Sequence, residues 1–241
     1  MTVLALTLAG PLQAWGSASR FVTRGTDDAP TKSGIVGLLA AARGLRRTDP
    51  LEDLVNLRFA VRIDQPGVLL RDFQTARSLD GTRTMPLSYR YYRADARYLV
   101  GLEADDSLLQ GLVEALRHPV FPLYLGRRSC PPSEPLHPTL RSGDLERLLL
   151  AEPWQAAAWW RRRRPDGDTA VEFRIDQGVS KEFRDAYVDG SVVQRDDPIS
   201  FDPEHRQYGW RSVEHGHLPL SGSNAPSTTP ISHDALGAVV M

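Results

Sequence analysis

The sequence predicts an α+β fold: a ferredoxin-like (RRM-type) domain carrying a protruding β-hairpin thumb, followed by a smaller irregular C-terminal region. Hydrophobic periodicity runs strand, helix, strand, excursion, strand, helix, strand, the plan shared by RNA-recognition modules. The excursion, Val68 to Arg97, holds a turn signal at Asp80-Gly81 between two arms. Beyond Pro131 the pattern is less regular. Residues 1–135 are therefore read as the ferredoxin-like core, with its thumb at about 68–97. Residues 136–241 are read as an extension of mixed helix and strand packed on that core.

Each element has a local reason. Val3, Ala5 and Thr7 alternate with Leu4, Leu6 and Leu8, which reads as a buried first strand rather than a leader, since no basic segment precedes it. The Gly/Ser/Thr-rich connection from Gly10 to Ala29 is long for a plain loop. Pro30-Thr31-Lys32-Ser33 then opens a tightly packed helix of small and apolar residues, ended by Gly44. Leu57–Ile63 and Tyr98–Leu102 read as strands. Asp105–Arg117 carries leucines at helical spacing and stops at His118-Pro119, and Phe121–Leu125 is taken as the last core strand. In the C-terminal region, Leu145–Ala158 looks helical, Val171–Ile175 looks like a strand, and Gly216–Pro230 reads as a loop.

Bulk properties exclude more than they assign. With 241 residues, 41% of them hydrophobic, the chain has enough apolar material for a core. Its longest apolar runs fall short of the roughly 20 residues a bilayer span needs, so a cytoplasmic protein without membrane contact is expected. A single cysteine, Cys130, excludes an internal disulfide and suits a reducing compartment. The net charge of −1 argues at first against a nucleic-acid partner. Residues 1–100, however, hold 14 Lys/Arg against 9 Asp/Glu, so the basic charge is concentrated N-terminally. All basic residues but Lys32 and Lys181 are arginines, although genome composition alone produces such a bias.

Several motifs invite a chemical reading. Thr31-Lys32-Ser33 lacks the glycines of a Walker loop, so nucleotide hydrolysis is excluded. A helix start with Lys32 and two hydroxyls could still hold one phosphate, or Thr31 or Ser33 could simply cap it. The thumb sets Arg71, Arg77, Arg83, Arg90, Arg93 and Arg97 among Phe73, Tyr89, Tyr91 and Tyr92, a pattern suited to phosphates and bases of a single strand. A solvated hairpin whose tyrosines pack on the body fits the same residues. Leu125 through Pro132 places Arg127 and Arg128 beside Gly126, where the backbone can approach closely. His215-Gly216-His217, with His205, lacks the helical spacing of a zinc enzyme, so no metal or other cofactor is expected. Cys130 reads as a structural thiol and Arg161–Arg164, after Trp159-Trp160, as a solvated helix end.

Four segments together resemble the CasD family, the RAMP-superfamily subunit of the type I-E CRISPR Cascade complex. They are Leu8 through Gly16, Arg24 with Pro30–Gly34 and Gly37–Ala41, Arg90 through Ala96, and Leu125 through Pro132. The resemblance implies a ferredoxin-like body with a thumb, docked beside the large subunit and the first backbone subunit and near target DNA, gripping the 5′ handle of the crRNA. Carried over by motif, it implies RNA contacts at Gln13, Trp15, Arg20 and Arg24, at Lys32, Ser33 and Gly34, at Arg90, Tyr91 and Arg93, and at Arg127 and Arg128. Lys32, Arg127 and Arg128 are expected on one phosphate-binding rim, although the first and last core strands are not expected to be neighbours. Relatives in type I-C systems cleave repeat RNA. That chemistry needs a base, an acid and a cation, and neither lysine here has a histidine nearby in sequence. Binding without cleavage is the expectation, with a metal-independent endoribonuclease using His118 as the alternative.

Overall fold

The computed structural model describes residues 1–16, 23–164 and 170–220. The N-terminal strand β1 (Thr2–Ala9) is buried on both faces, with Leu4, Leu6 and Leu8 turned to one core and Val3 and Ala5 to another. Short strands β2 (Leu12–Gln13) and β3 (Thr23–Arg24) precede α1 (Lys32–Arg43). This helix begins where the Thr31 hydroxyl accepts the Gly34 N–H and ends at Gly44, whose φ of 79° needs no Cβ. A 3₁₀ turn (Glu52–Asn56) leads to β4 (Arg58–Gln65). Strands β5 (Val68–Gln74) and β6 (Ser88–Ala94) form the expected hairpin, whose distal turn has Gly81 at φ 73° and Ser78 donating to Asp80. Strand β7 (Arg97–Glu103) and the amphipathic α2 (Asp106–Arg117) follow.

The expected strand at Phe121–Leu125 is absent. Pro122 has no N–H to give a ladder, and the neighbouring groups are bonded elsewhere: the Val120 and Phe121 N–H donate to Ala42 and Ala41 at the end of α1. Instead β8 (Thr139–Ser142) follows α2 and pairs antiparallel with β1, so the first strand and the strand after α2 are neighbours after all. The helix expected over Leu145–Ala158 divides into α3 (Leu145–Ala151) and a short turn α4 (Ala158–Arg161), interrupted at Glu152-Pro153. Strand β9 (Ala170–Asp176) matches its expected place, and α5 (Lys181–Tyr187) leads into a hairpin of two long strands, β10 (Val188–Ser200) and β11 (Gln207–Pro219).

The C-terminal part is more regular than its sequence suggests. Strands β9, β10 and β11 extend one seven-stranded sheet, in the order β10-β11-β9-β4-β7-β1-β8. Gly216, read as part of a loop, sits in β11 between Val188 and Phe173, and it is glycine because a Cβ there would meet the Tyr187 carbonyl oxygen at 1.9 Å; residues 221–230 of that expected loop lie outside the described residues. A second sheet holds β6 between β5 on one edge and β2 and β3 on the other. Helices α1 and α2 cover the Leu4/Leu6/Leu8 face of the large sheet, and α3 covers the Val3/Ala5 face. Among the described residues, no helix is long and apolar enough to cross a membrane.

Candidate nucleic-acid interface

Two of the sequence-predicted residues build the site from inside rather than line it with functional groups. Gln13 is fully buried and donates to the carbonyl oxygens of Ala96 (2.8 Å) and Leu8 (3.4 Å), while its amide oxygen accepts from the Trp15 indole N–H at 3.1 Å. Trp15 is thereby pinned against the start of α1, so close that a Cβ on Gly34 would lie 2.8 Å from its ring. This is why a glycine stands there. Gly126, at φ 84°, approaches the Ala14 carbonyl from the other side, and the Ala14 N–H donates to Leu125. Residues 12–16, the start of α1 and the glycine loop thus converge.

Arg127 is also a structural tie. Its guanidinium donates to the carbonyls of Tyr91, Arg24 and Gly25 and lies 5.0 Å over the Tyr92 ring, joining the thumb and β3 to the glycine loop. Lys32 likewise turns away from the expected rim. It is only 8% exposed, its ammonium is 2.9 Å from Asp197, and its backbone N–H donates to Asp196. An inward-facing acidic group on β9 and β10, held also by Arg211, consumes this cation and fixes the long C-terminal hairpin to α1. Cys130 is buried, which pushes its thiol upward and away from thiolate chemistry.

The thumb residues divide between two faces. Alternation along β6 places Tyr89, Tyr91 and Arg93 with Leu69, Arg71 and Phe73 on one side, and Arg90 with the buried Tyr92 on the other. Arg71 stacks on Tyr89 at 5.4 Å, and the exposed Leu69 and Phe73 make that outer face partly apolar. Arg24 is exposed at the joint of β3 and β6. Arg20 lies outside the described residues.

The converging segments enclose a groove of about 860 Å³. Thr31, Ser33, Gly34 and Gly37 of the helix start form its floor with Trp15. Phe121, Tyr124, Phe201 and Tyr208 supply aromatic walls, and Arg46, Arg47, Arg128 and Arg206 its cations. All four arginines are exposed, and none has an ion-pair partner among the described residues. The described lining includes no His, Asp, Glu, Lys or Cys. Arginine keeps its proton at any working pH, so these four side chains offer fixed charge and hydrogen-bond donors. His118 lies at the exposed end of α2, outside the lining.

Arg46, Arg47 and Arg206 were not singled out by the sequence. The first two follow the Gly44 cap as an ordinary helix exit, and Arg206 sits in the turn between β10 and β11, brought to the groove only by the fold.

Comparison with known families matches residues 3–214 to the family described as CRISPR-associated protein (Cas_Cas5). The chain belongs to that family. It is 36% identical over 169 residues, 61% of this chain and 75% of the relative, to the CRISPR system Cascade subunit CasD of Escherichia coli (strain K12). Among solved structures, it is similar to one described as a Cas protein, at 33% identity and a TM-score of 0.68, covering 95% of this chain and all of that one. A chain of a CRISPR RNA-guided surveillance complex matches at 31% identity and a TM-score of 0.71, covering 92% and 95%. The resemblance to CasD drawn from the four motifs therefore holds, and those motifs supply Trp15, Thr31, Ser33, Gly34, Gly126 and Arg128 of the groove lining.

Proposed function

We propose that the protein is the non-catalytic subunit of a type I-E CRISPR Cascade complex that binds and caps the 5′ handle of the crRNA. The observation that carries this is the groove: four arginines without an ion-pair partner among the described residues, beside aromatic walls, at the motif segments around Trp15, the start of α1 and Gly126, with no His, Asp, Glu, Lys or Cys in the described lining. Guanidiniums fork onto phosphates, and exposed rings accept unstacked bases. Arg46, Arg47, Arg128 and Arg206 hold backbone phosphates. Gln13, Trp15 and Arg127 position the groove, and Ser33 and Gly34 let the strand approach the helix start. Arg24, Arg90, Tyr91 and Arg93 carry the contact onto the thumb, whose apolar outer face meets the backbone and large subunits. The β8-β1-β7-β4 order, with α1 and α2 on one face, supports the ferredoxin-like reading of the core. Such a complex works in the cytoplasm, close to target DNA.

Two results test this. The triple variant Arg46→Ala, Arg47→Ala, Arg128→Ala should weaken guide-RNA binding with a salt slope shallower by about two, since each phosphate contact on a single strand contributes about 0.7. The loss should be equal for native and scrambled handles, because phosphates carry no base identity. Melting should change little, as exposed arginines add little stability. A variant that keeps the wild-type slope but loses handle discrimination would show base reading instead. In addition, repeat RNA incubated with the purified chain should stay intact on a denaturing gel. Specific cleavage abolished by His118→Ala would install the endoribonuclease reading.

A further inference from the structure

A separate basic surface lies on the opposite side of the large sheet from α1 and the groove floor. It follows α3, which packs on the Val3/Ala5 face, and it is held in place by the end of β4. The fully buried Arg62 donates to the carbonyls of Leu149, Glu152 and Pro153. The Trp154 indole N–H donates to the Asp64 carbonyl, the Gln155 N–H to the Asp64 carboxylate and the Ala157 N–H to the Gln65 side chain. The chain therefore enters α4 from a fixed position.

On that turn Trp159 and Trp160 meet edge to face, with centroids 5.5 Å apart. Arg163 lies over Trp159 at 5.2 Å and Arg164 over Trp160 at 3.9 Å. Neither these nor Arg161 and Arg162 have a carboxylate within ion-pair distance among the described residues, whereas Arg43, Arg58, Arg141, Arg174, Arg184 and Arg211 each have one. Four adjacent cations with no ion-pair partner among the described residues repel one another, and an ordinary solvated run would spread its side chains apart. Here two guanidiniums lie over indole rings, which restrains them while their N–H groups can still fork onto an anion.

We propose that Arg161–Arg164, with Trp159 and Trp160, form a second nucleic-acid surface that holds the phosphate backbone of a DNA duplex without reading its sequence. The geometry selects a duplex over a single strand. A guanidinium covers one face of each indole, so charge and N–H groups are the larger part of what the surface presents. A duplex turns its bases inward and its phosphates outward. None of Arg161–Arg164, Trp159 and Trp160 lines the groove proposed for the guide. This inference concerns different residues from the guide-binding groove and stands or falls apart from it.

The test uses the full chain alone and in the assembled complex, probed with a short DNA duplex lacking complementarity to the guide. Replacing Arg161, Arg162, Arg163 and Arg164 with Ala should weaken duplex binding at low salt at least tenfold and make the salt slope shallower by up to about 3.6, at about 0.9 per duplex phosphate contact. Guide-RNA content should be unchanged. Trp159→Ala with Trp160→Ala should keep most of the slope and weaken binding a few-fold, because the charges remain but lose their fixed orientation. Wild-type affinity and slope in the quadruple variant would overturn the proposal. So would loss of guide RNA with duplex binding intact, which would assign these arginines to the guide.

Discussion

Arg62→Ala is expected to lower stability by about 3–5 kcal/mol, the largest effect of any single polar substitution in the core, because it leaves a buried carboxylate without its partner. Arg62 and Asp64 are both shielded from solvent, the guanidinium donating to the carboxylate at 2.6 and 3.1 Å. Burial already raises the Asp64 carboxyl above the usual range, and Arg62 pulls it back. In the variant it rises further. A carboxyl whose folded value lies above its unfolded one favours the native state most when both are protonated, and that benefit is lost as pH rises through the folded value. The variant's deficit should therefore be larger at neutral than at mildly acid pH in denaturant titrations. Asp64→Ala added to Arg62→Ala should recover part of the loss. A deficit that does not change with pH, with no recovery in the double variant, would show that the pair contributes only as packing. Because Arg62 also ties residues 149–153, loosened structure after α3 should accompany the destabilisation in hydrogen exchange.

Gly126→Ala should cost about 2–4 kcal/mol and release the guide RNA as well. Its φ of 84° strains any L side chain, and a Cβ would come within 1.8 Å of the Ala14 carbonyl oxygen. No rotamer relieves a clash between two backbones. The loop must swing away, taking Arg128 from the groove and freeing Trp15 from the start of α1. Gly216→Ala is the matched control, since its Cβ would meet the Tyr187 carbonyl at 1.9 Å toward the opposite end of β11 from the groove-lining Tyr208. Both should melt earlier, and only Gly126→Ala should lose guide RNA at temperatures where it is still folded. Equal loss in both would mean that guide binding follows overall stability and does not depend on the glycine loop.

Much of this protein was legible in its sequence. Alternation fixed β1, β4 and β7, leucine spacing and His118-Pro119 bounded α2, and Thr31 and Gly44 bounded α1, because in each case neighbours along the chain supply the physical constraint. Asp80-Gly81 marked the thumb for the same reason. The motif segments also identified the family before any geometry was known. Tertiary structure decided which side chains reach solvent, since burial depends on what lies across from a residue. Gln13, Trp15, Lys32 and Arg127 carry polar groups suited to RNA, yet each is bonded inward, to partners as distant as Ala96, Asp197 and Tyr91. Arg206 gained its place in the groove through the turn joining two strands that read individually as irregular. Those strands form because β9 offers an edge to pair with, and such an edge exists only once β4 and β7 have assembled the sheet.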